Sequence, residues 1–238
     1  MVTGRGSSSP TAPGATIFLW WQQVPYFARR FRCVVYDQPG WGESTCEGGP
    51  NPTRFARDLC TLLDHLGADR VALVGQSMSG WAVLGSALAA PSRVTHVLLA
   101  STLAGLVDDA TAALLLRAID VDAERPLDGR VALAADFPER DPTRTFLFER
   151  ITAMNPPLGA PFLRALVALR LSLPAVSPPF ATAFVAGDRD RLFPLPLVQL
   201  AHARMPEAQL TVVPGAGHSV YFEHPEAFNH ALDALLAR

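Results

Sequence analysis

Residues 71–81, Val-Ala-Leu-Val-Gly-Gln-Ser-Met-Ser-Gly-Trp, decide the fold of this chain. Four apolar, β-prone residues precede Gly75, and a stretch rich in Ala and Leu follows as far as Ala90. This order predicts a buried strand, a sharp turn with Ser77 at its apex, and then a helix. A serine on such a turn projects its hydroxyl clear of the sheet, beside helix N-terminal N–H groups that can stabilise developing negative charge.

The composition limits the class of protein and its partners. With 238 residues, of which 49% are hydrophobic, the chain can form one large α/β domain, or such a domain with an inserted cap. The net charge of −2 gives no electrostatic reason to expect binding to nucleic acid or to an anionic membrane. No run reaches the roughly 18 apolar residues of a membrane span. We therefore expect a small-molecule substrate as the partner, with no nucleic acid and no membrane.

The thiols and histidines argue against disulfide and metal chemistry. Cys33, Cys46 and Cys60 are odd in number and have no C-x-x-C spacing, which favours free thiols in a reducing cytosol. The six histidines show neither an H-E-x-x-H motif nor a comparable spacing. We expect a cytoplasmic protein with no metal and no other cofactor.

Strand and helix patterns alternate along most of the chain. This alternation predicts a mainly parallel sheet flanked by helices, with right-handed crossovers. The predicted strands are 32–36, 71–74, 94–100, 181–186 and 209–213, and the predicted helices are 17–31, 52–66, 81–90, 196–203 and 225–236.

Strand signals disappear between residues 103 and 177. Helical patterns at 109–119 and 161–171 alternate there with proline-rich breaks. We expect 103–177 to be a helical cap that sets substrate choice, inserted between core segments 16–102 and 178–238. Residues 1–15, rich in Ser, Pro and Gly, are expected to be a disordered N-terminal segment.

Two polar segments follow the last two predicted strands. Gly187-Asp-Arg-Asp190 comes after the strand at 181–186, and Gly215-Ala-Gly-His218 comes after the strand at 209–213. Ligands of open parallel sheets bind beyond the carboxyl ends of the strands, so these side chains are expected near Ser77. A serine hydroxyl needs a base to become a nucleophile, and the base needs an acid that orients it.

From about residue 16 to its end, the chain resembles the α/β-hydrolase superfamily, in its cap-bearing branch of small-molecule serine hydrolases. The motifs, in family order, are DQPGWGES (37–44), GQSMSG (75–80), GDRD (187–190) and GAGHSVYFEHPEAF (215–228). The resemblance implies a Ser77 nucleophile, an Asp190 acid and a His218 base. It also implies that the backbone N–H of Met78 is an oxyanion donor, because Met78 follows the nucleophile.

Two positions leave alternatives open. Asp188 competes with Asp190 for the role of the acid, and the family's G-x-x-D pattern favours Asp190. Ser79 replaces the last glycine of the usual G-x-S-x-G motif, and Gly80 follows it. We interpret Ser79 as a small residue that the tight turn tolerates, rather than as a second nucleophile.

The beginning of the chain departs from the family pattern. The family opens with two or three strands and an HG-containing loop that provides a second oxyanion N–H. Nothing before residue 16 reads as a strand, and there is no HG dipeptide. We therefore expect the N-terminal strands to be missing, which leaves a gap between the strands at 32–36 and 71–74. One interpretation is a truncated or wrongly started chain, which we favour, and the other is a sheet that closes by pairing these two strands.

The sequence favours a hydrolase over two other classes of function. The expected activity is cleavage of an ester, lactone, amide or C–C bond of a small apolar substrate through an acyl-enzyme. A catalytically impaired or truncated α/β-hydrolase that acts as a binding protein is the first alternative. Non-hydrolytic chemistry by the same triad, as in haloperoxidase-like or lyase-like relatives, is the second, because a fold does not fix a function.

Overall fold

A six-stranded sheet forms the centre of the computed structural model, which describes the backbone of residues 2–4 and all of 17–119, 129–155 and 158–238. The strands are β1 (Val2–Gly4), β2 (Arg32–Val34), β3 (Val71–Gln76), β4 (Val94–Ala100), β5 (Ala181–Gly187) and β6 (Gln209–Val213). Their order in the sheet is β2-β1-β3-β4-β5-β6.

Ten α-helices and several 3₁₀ turns connect the strands within the described residues. The α-helices are α1 (Gln23–Phe27), α2 (Phe55–His65), α3 (Ser79–Ala89), α4 (Asp109–Ala118), α5 (Phe137–Arg140), α6 (Pro142–Thr152), α7 (Ala160–Ala168), α8 (Leu195–His202), α9 (Val220–Glu223) and α10 (Pro225–Leu236). The 3₁₀ turns include Ile17–Trp20, Pro52–Arg54, Pro91–Arg93 and Gly129–Ala132.

One predicted helix, 17–31, is wrong in its extent. The structure has a 3₁₀ turn at Ile17–Trp20 and then only the short helix α1. Pro25 lies in the first turn of α1. A proline has no N–H to donate and is tolerated only in the first turn of a helix, so a continuous helix cannot run through this position.

Strands β3 to β6 are parallel, and they confirm the predicted fold class. The strand at 94–100 agrees with the prediction residue for residue, and β3 extends two residues further than predicted, to Gln76. β3 is buried along its whole length. A strand covered on both faces of a parallel sheet needs a continuous apolar run, and this is why its pattern was easy to recognise.

Strand β1 corrects the prediction about the beginning of the chain. It lies between β2 and β3 and is antiparallel to both, with Val2 opposite Val34 on one side and Leu73 on the other. The expected gap is therefore filled, and β2 does not pair with β3. Three residues are too few to show the alternation of a strand in the sequence. The backbone N–H and C=O groups along the facing edges of β2 and β3 need hydrogen-bond partners, and β1 provides them. Residue 1 and residues 5–15, the rest of the expected disordered segment, lie outside the described residues, as does residue 16.

Apolar side chains cover both faces of the sheet in the alternation that a strand imposes. Leu73 and Leu99 belong to the cluster that contains side chains of α2 and α3. Val74 and Leu98 belong to the cluster that contains side chains of α1 and α10. The two faces are thus filled from different helices, and the polar loops are left to the ends of the strands.

The predicted insertion contains α4 to α7, and its described residues form helices and turns without a strand. It makes hydrogen bonds to three loops. Asn155 Oδ1 accepts from the N–H of Gly42 at 3.2 Å, the carbonyl oxygen of Arg130 accepts from Nη2 of Arg191 at 2.9 Å, and that of Ala132 accepts from the N–H of Ser219. These loops follow β2, β5 and β6, so the insertion contacts the carboxyl edge of the sheet. Its role as a cap over the substrate stays a prediction.

Two further observations hold for the described part of the chain. No helix there is both long and apolar enough to cross a bilayer. The cysteines Cys33, Cys46 and Cys60 are free and partly buried.

Candidate active site

Ser77 occupies a strained turn between β3 and α3. Its φ is +55°, in the left-handed region that a residue with a Cβ seldom adopts. Two backbone hydrogen bonds fix the turn: Ser77 N–H donates to Ala100 at 2.8 Å, and Gly80 N–H donates to Ser77 at 3.0 Å. From Val71 to Ala87, Ser77 is the one residue that is not fully buried. The fold therefore presents this serine from an otherwise buried segment.

Two glycines make the close contact between strand and helix possible. A Cβ on Gly75 would lie 2.8 Å from the carbonyl oxygen of Ser79, and a Cβ on Gly80 would collide with the side chain of Thr102. Ser79 itself is fully buried at the start of α3. The turn thus accommodates a serine at position 79 because the tight approaches fall on positions 75 and 80.

Met78 lies at the N-terminus of α3. Its backbone N–H donates to no other group in the part of the chain that the structure describes. The first N–H groups of a helix have no partner within the helix, and they carry its partial positive charge. The N–H of Met78 is therefore available to an oxygen atom bound beside Ser77.

His218 and Asp190 form a buried pair. Nδ1 of His218 lies 2.8 Å from Oδ2 of Asp190, and the two side chains are 4% and 0% exposed. Oδ1 of Asp190 accepts from the N–H groups of Leu192 and Phe193, each at 2.8 Å. A carboxylate can only accept, so the proton between the pair belongs to Nδ1. Nε2 then has a free lone pair and can take up a proton.

Two neighbours fix the position of His218. The ring of Phe193 stacks on the imidazole, with ring centroids 5.1 Å apart and planes inclined by 26°. Nε2 of Gln76 donates to the carbonyl oxygen of His218 at 3.0 Å. Because Gln76 directly precedes Ser77, this bond joins the turn of the serine to the loop of the histidine.

Asp188 has a different environment from Asp190. It is exposed, and its Oδ1 accepts from the N–H of Gly215 at 2.7 Å. It joins the loops that follow β5 and β6 and does not bond to His218. Of the two candidate acids in the sequence, the structure thus places Asp190 against the imidazole ring.

Sequence reasoning missed the roles of three residues at this site: Gln76, Phe193 and Glu223. Glu223 is 3% exposed, and its carboxylate accepts from the N–H of Gly217 at 3.1 Å and of Ala134 at 2.9 Å. Burial raises the pKa of Glu223, although these two hydrogen bonds act in the opposite direction. The available signal was a charged residue directly after the apolar run 220–222 in the last motif. A polar residue at the end of a buried strand was the corresponding signal for Gln76.

Backbone strain extends from β3 to the next strand. Ser101, directly after β4, has a φ of +45°, and Ala104 has a φ of +48°. With Ser77, they are the non-glycine residues of the described chain that have a positive φ. Strain of this kind is concentrated at functional sites, and here it follows the carboxyl ends of two adjacent strands.

The chain is similar to known hydrolases over most of its length. It is 26% identical over 232 residues to 3-oxoadipate enol-lactonase 2 of Acinetobacter baylyi, covering 94% of this chain and 86% of the lactonase. It is 30% identical over 272 residues to the 2-hydroxy-6-oxononadienedioate/2-hydroxy-6-oxononatrienedioate hydrolase of Burkholderia vietnamiensis, covering 99% and 89%. A thermophilic esterase from Thermogutta terrifontis superposes with a TM-score of 0.76 at 26% identity, covering 100% of this chain and 92% of the esterase.

The profile of the alpha/beta hydrolase family matches residues 9–231, which is nearly the whole chain. This match confirms the resemblance found in the sequence motifs. The relatives are themselves hydrolases that act on small molecules. The chain therefore belongs to the alpha/beta hydrolase family and is a hydrolase.

Proposed function

We propose that this hydrolase uses Ser77, His218 and Asp190 as a catalytic triad on a small, mostly apolar substrate. The observation that carries the proposal is the buried His218–Asp190 pair, joined through Gln76 to the strained turn that presents Ser77. The bond cleaved is an ester, a lactone, an amide or a C–C bond. Relatives named as a lactonase, a dienedioate hydrolase and an esterase support this range.

The first half of the reaction forms an acyl-enzyme. Oγ of Ser77 attacks the substrate carbonyl carbon while Nε2 of His218 takes the serine proton. The carbonyl oxygen becomes an oxyanion, to which the N–H of Met78 donates. The tetrahedral intermediate then breaks the bond to the leaving group, which receives the proton from His218.

The second half of the reaction releases the product. A water molecule attacks the acyl carbon and gives its proton to His218, and the bond to Ser77 breaks as that proton returns to the serine oxygen. Asp190 remains a carboxylate throughout and stabilises the imidazolium that forms twice in the cycle. No cofactor enters these steps. A cytoplasmic setting is part of the same proposal, and the three free thiols support it.

The test is covalent trapping of the acyl-enzyme together with turnover of p-nitrophenyl acetate. We expect a fluorophosphonate to label Ser77, as located by peptide mass spectrometry, and Ser77→Ala to abolish both labelling and turnover. The matched control is Ser79→Ala, which removes a hydroxyl two residues away and should retain turnover. Labelling at another residue, or full turnover by Ser77→Ala, would refute the assignment of the nucleophile.

A substrate panel separates the bond types. An aryl ester, a lactone and an anilide with acyl groups of similar size should all require Ser77 if the acyl-enzyme route is general. The ratio of kcat/KM values then identifies the preferred bond. Labelling without turnover of any member of the panel would favour the binding-protein alternative.

A further inference from the structure

One stretch of the insertion contacts both loops that carry the proposed acid and base. We call residues 130–136 the latch segment, residues 187–191 the acid loop and residues 215–219 the base loop. The latch segment begins within the 3₁₀ turn Gly129–Ala132 and leads into α5.

The base loop is bound to the latch segment on both sides of His218. After the histidine, the N–H of Ser219 donates to the carbonyl oxygen of Ala132 at 3.0 Å. Before it, the N–H of Gly217 donates to Glu223, whose other carboxylate oxygen accepts from Ala134. Hydrogen bonds therefore hold the backbone directly before His218, at Gly217, and directly after it, at Ser219.

The acid loop is bound to the same segment on both sides of Asp190. Arg191 donates through Nη2 to the carbonyl oxygens of Arg130 and Leu133, at 2.9 and 3.0 Å. Arg189 forms an ion pair with Asp136 at 2.9 Å. Arg189 and Arg191, which flank the acid, thus contact the same latch segment that holds the base loop.

Glu223 is the buried centre of this arrangement. Only a glycine fits at position 217, because a Cβ there would collide with the backbone of the latch segment at Ala134. A carboxylate is expensive to bury unless its oxygens are satisfied, and Glu223 satisfies both with backbone N–H groups from different segments. This is a specific bridge between the insertion and the base loop.

We infer that Glu223 is a positioning residue that holds His218 in its reactive geometry by bridging the base loop to the latch segment. The inference rests on the proposed function, since it assigns a task to the loop that carries the proposed base. It also changes the expected role of the insertion, which then contributes to reactivity as well as to substrate choice. A displacement of about 1 Å in a reacting group lowers a rate by about 10²-fold, so a lost tether can have a measurable effect.

The principal test is Glu223→Gln, with Glu226→Gln as the matched control. The glutamine has the same shape, but its NH₂ group would face one of the two N–H donors, so one hydrogen bond is lost. We expect kcat for p-nitrophenyl acetate to fall about tenfold or more, with KM within about twofold. The rate of fluorophosphonate labelling should fall in parallel. Glu226 is exposed, and its substitution should leave these values unchanged.

A double-mutant cycle distinguishes positioning from loss of structure. If Glu223 acts through His218, Glu223→Gln should have no further effect on the residual turnover of His218→Ala. An equal loss in both backgrounds, or unchanged kcat in the wild-type background, would overturn the inference. Neither result would refute the proposed function, which is tested separately by Ser77→Ala and by the site of fluorophosphonate labelling.

A second variant decides the question if Glu223→Gln does not fold. Arg191 is exposed, so Arg191→Ala removes both bonds to the latch segment without opening the core. We expect kcat to fall about threefold to tenfold with a normal circular dichroism spectrum, whereas the exposed control Arg57→Ala should match the wild type. Wild-type kcat in Arg191→Ala would overturn the inference in that case.

Discussion

The two halves of the sheet differ in the length of their strands, in the reversed direction of β1, and in the candidate site residues that follow them; β2 runs in the same direction as β3. β3 to β6 are parallel strands of five to seven residues, and Ser77, Asp190 and His218 all follow strands of this half. β1 and β2 have three residues each, and β1 is antiparallel to both neighbours. Parallel strands bring their following loops to one edge, whereas an antiparallel neighbour sends its loop to the other. The parallel half is therefore where reactive side chains can be collected.

The largest expected effect that tests this contrast is at Asp190, the proposed acid. Asp190→Asn should lower kcat by about 10⁴-fold, because an amide stabilises the wrong tautomer of His218. Asp188→Asn is the matched control, two residues away in the same loop, and should change kcat by less than about threefold, since it only joins two loops. Steady-state kinetics on p-nitrophenyl acetate measure both. Equal losses would mean that both carboxylates serve His218.

A smaller effect is expected where the loops after β5 and β6 meet. A Cβ on Gly187 would collide with the carbonyl oxygens of Ala216 and Gly217, so Gly187→Ala must displace the residues that precede His218. We expect a fall in kcat of about 10²-fold. Gly159→Ala is the control, since its nearest neighbour would lie at 3.7 Å and its φ is ordinary. Wild-type kinetics for Gly187→Ala would show that this edge tolerates movement.

A substitution in the antiparallel strand β1 should lower the stability of the fold more than it lowers kcat. Thr3→Pro removes an N–H at the centre of β1 and disturbs its pairing with β2 and β3. We expect Tm to fall by about 4–8 °C, as for a loss of about 2 kcal/mol in a chain of this size. The kcat of the folded enzyme should stay within about twofold, and Thr3→Val, which retains the N–H, should have a normal Tm. A large loss of kcat without a loss of stability would show that this half also shapes the active site.

The smallest expected effect is the pH dependence of Asp37, in the loop after β2. Burial raises the pKa of Asp37, and the charge of Glu43 adds to this, while N–H groups of Ile17 and Glu43 act in the opposite direction. A raised pKa in the folded state stabilises the fold at low pH, and this contribution is lost as the pH rises through the folded pKa. The Tm of the wild type minus that of Asp37→Asn should therefore decrease from about pH 4 to about pH 7. An increase over this range would contradict the sign of the shift.

The sequence predicted the parallel half of the sheet well and the other half poorly, for physical reasons. A fully buried strand such as β3 needs a continuous apolar run, and that run is visible in the sequence. β1 has three residues, too few for any period, and Pro25 limits α1 to a start close before it, where the neighbouring residues favoured a longer helix. Asp190 was predicted from its motif. The bridge by Glu223 was not, because its partner Ala134 is 89 residues away and only the folded chain brings them together.

The strain at Ser77, Ser101 and Ala104 has a consequence for the evolution of stability in this protein. Each non-glycine residue in the left-handed region costs about 1–3 kcal/mol, and glycine would relieve most of this. Stabilising substitutions are easy to find where a fold carries strain, and they often remove function. A population selected for heat resistance alone would accumulate glycine at position 77 and become a durable protein without the proposed nucleophile. Under the proposed function, the serine at position 77 is therefore kept at a cost in stability.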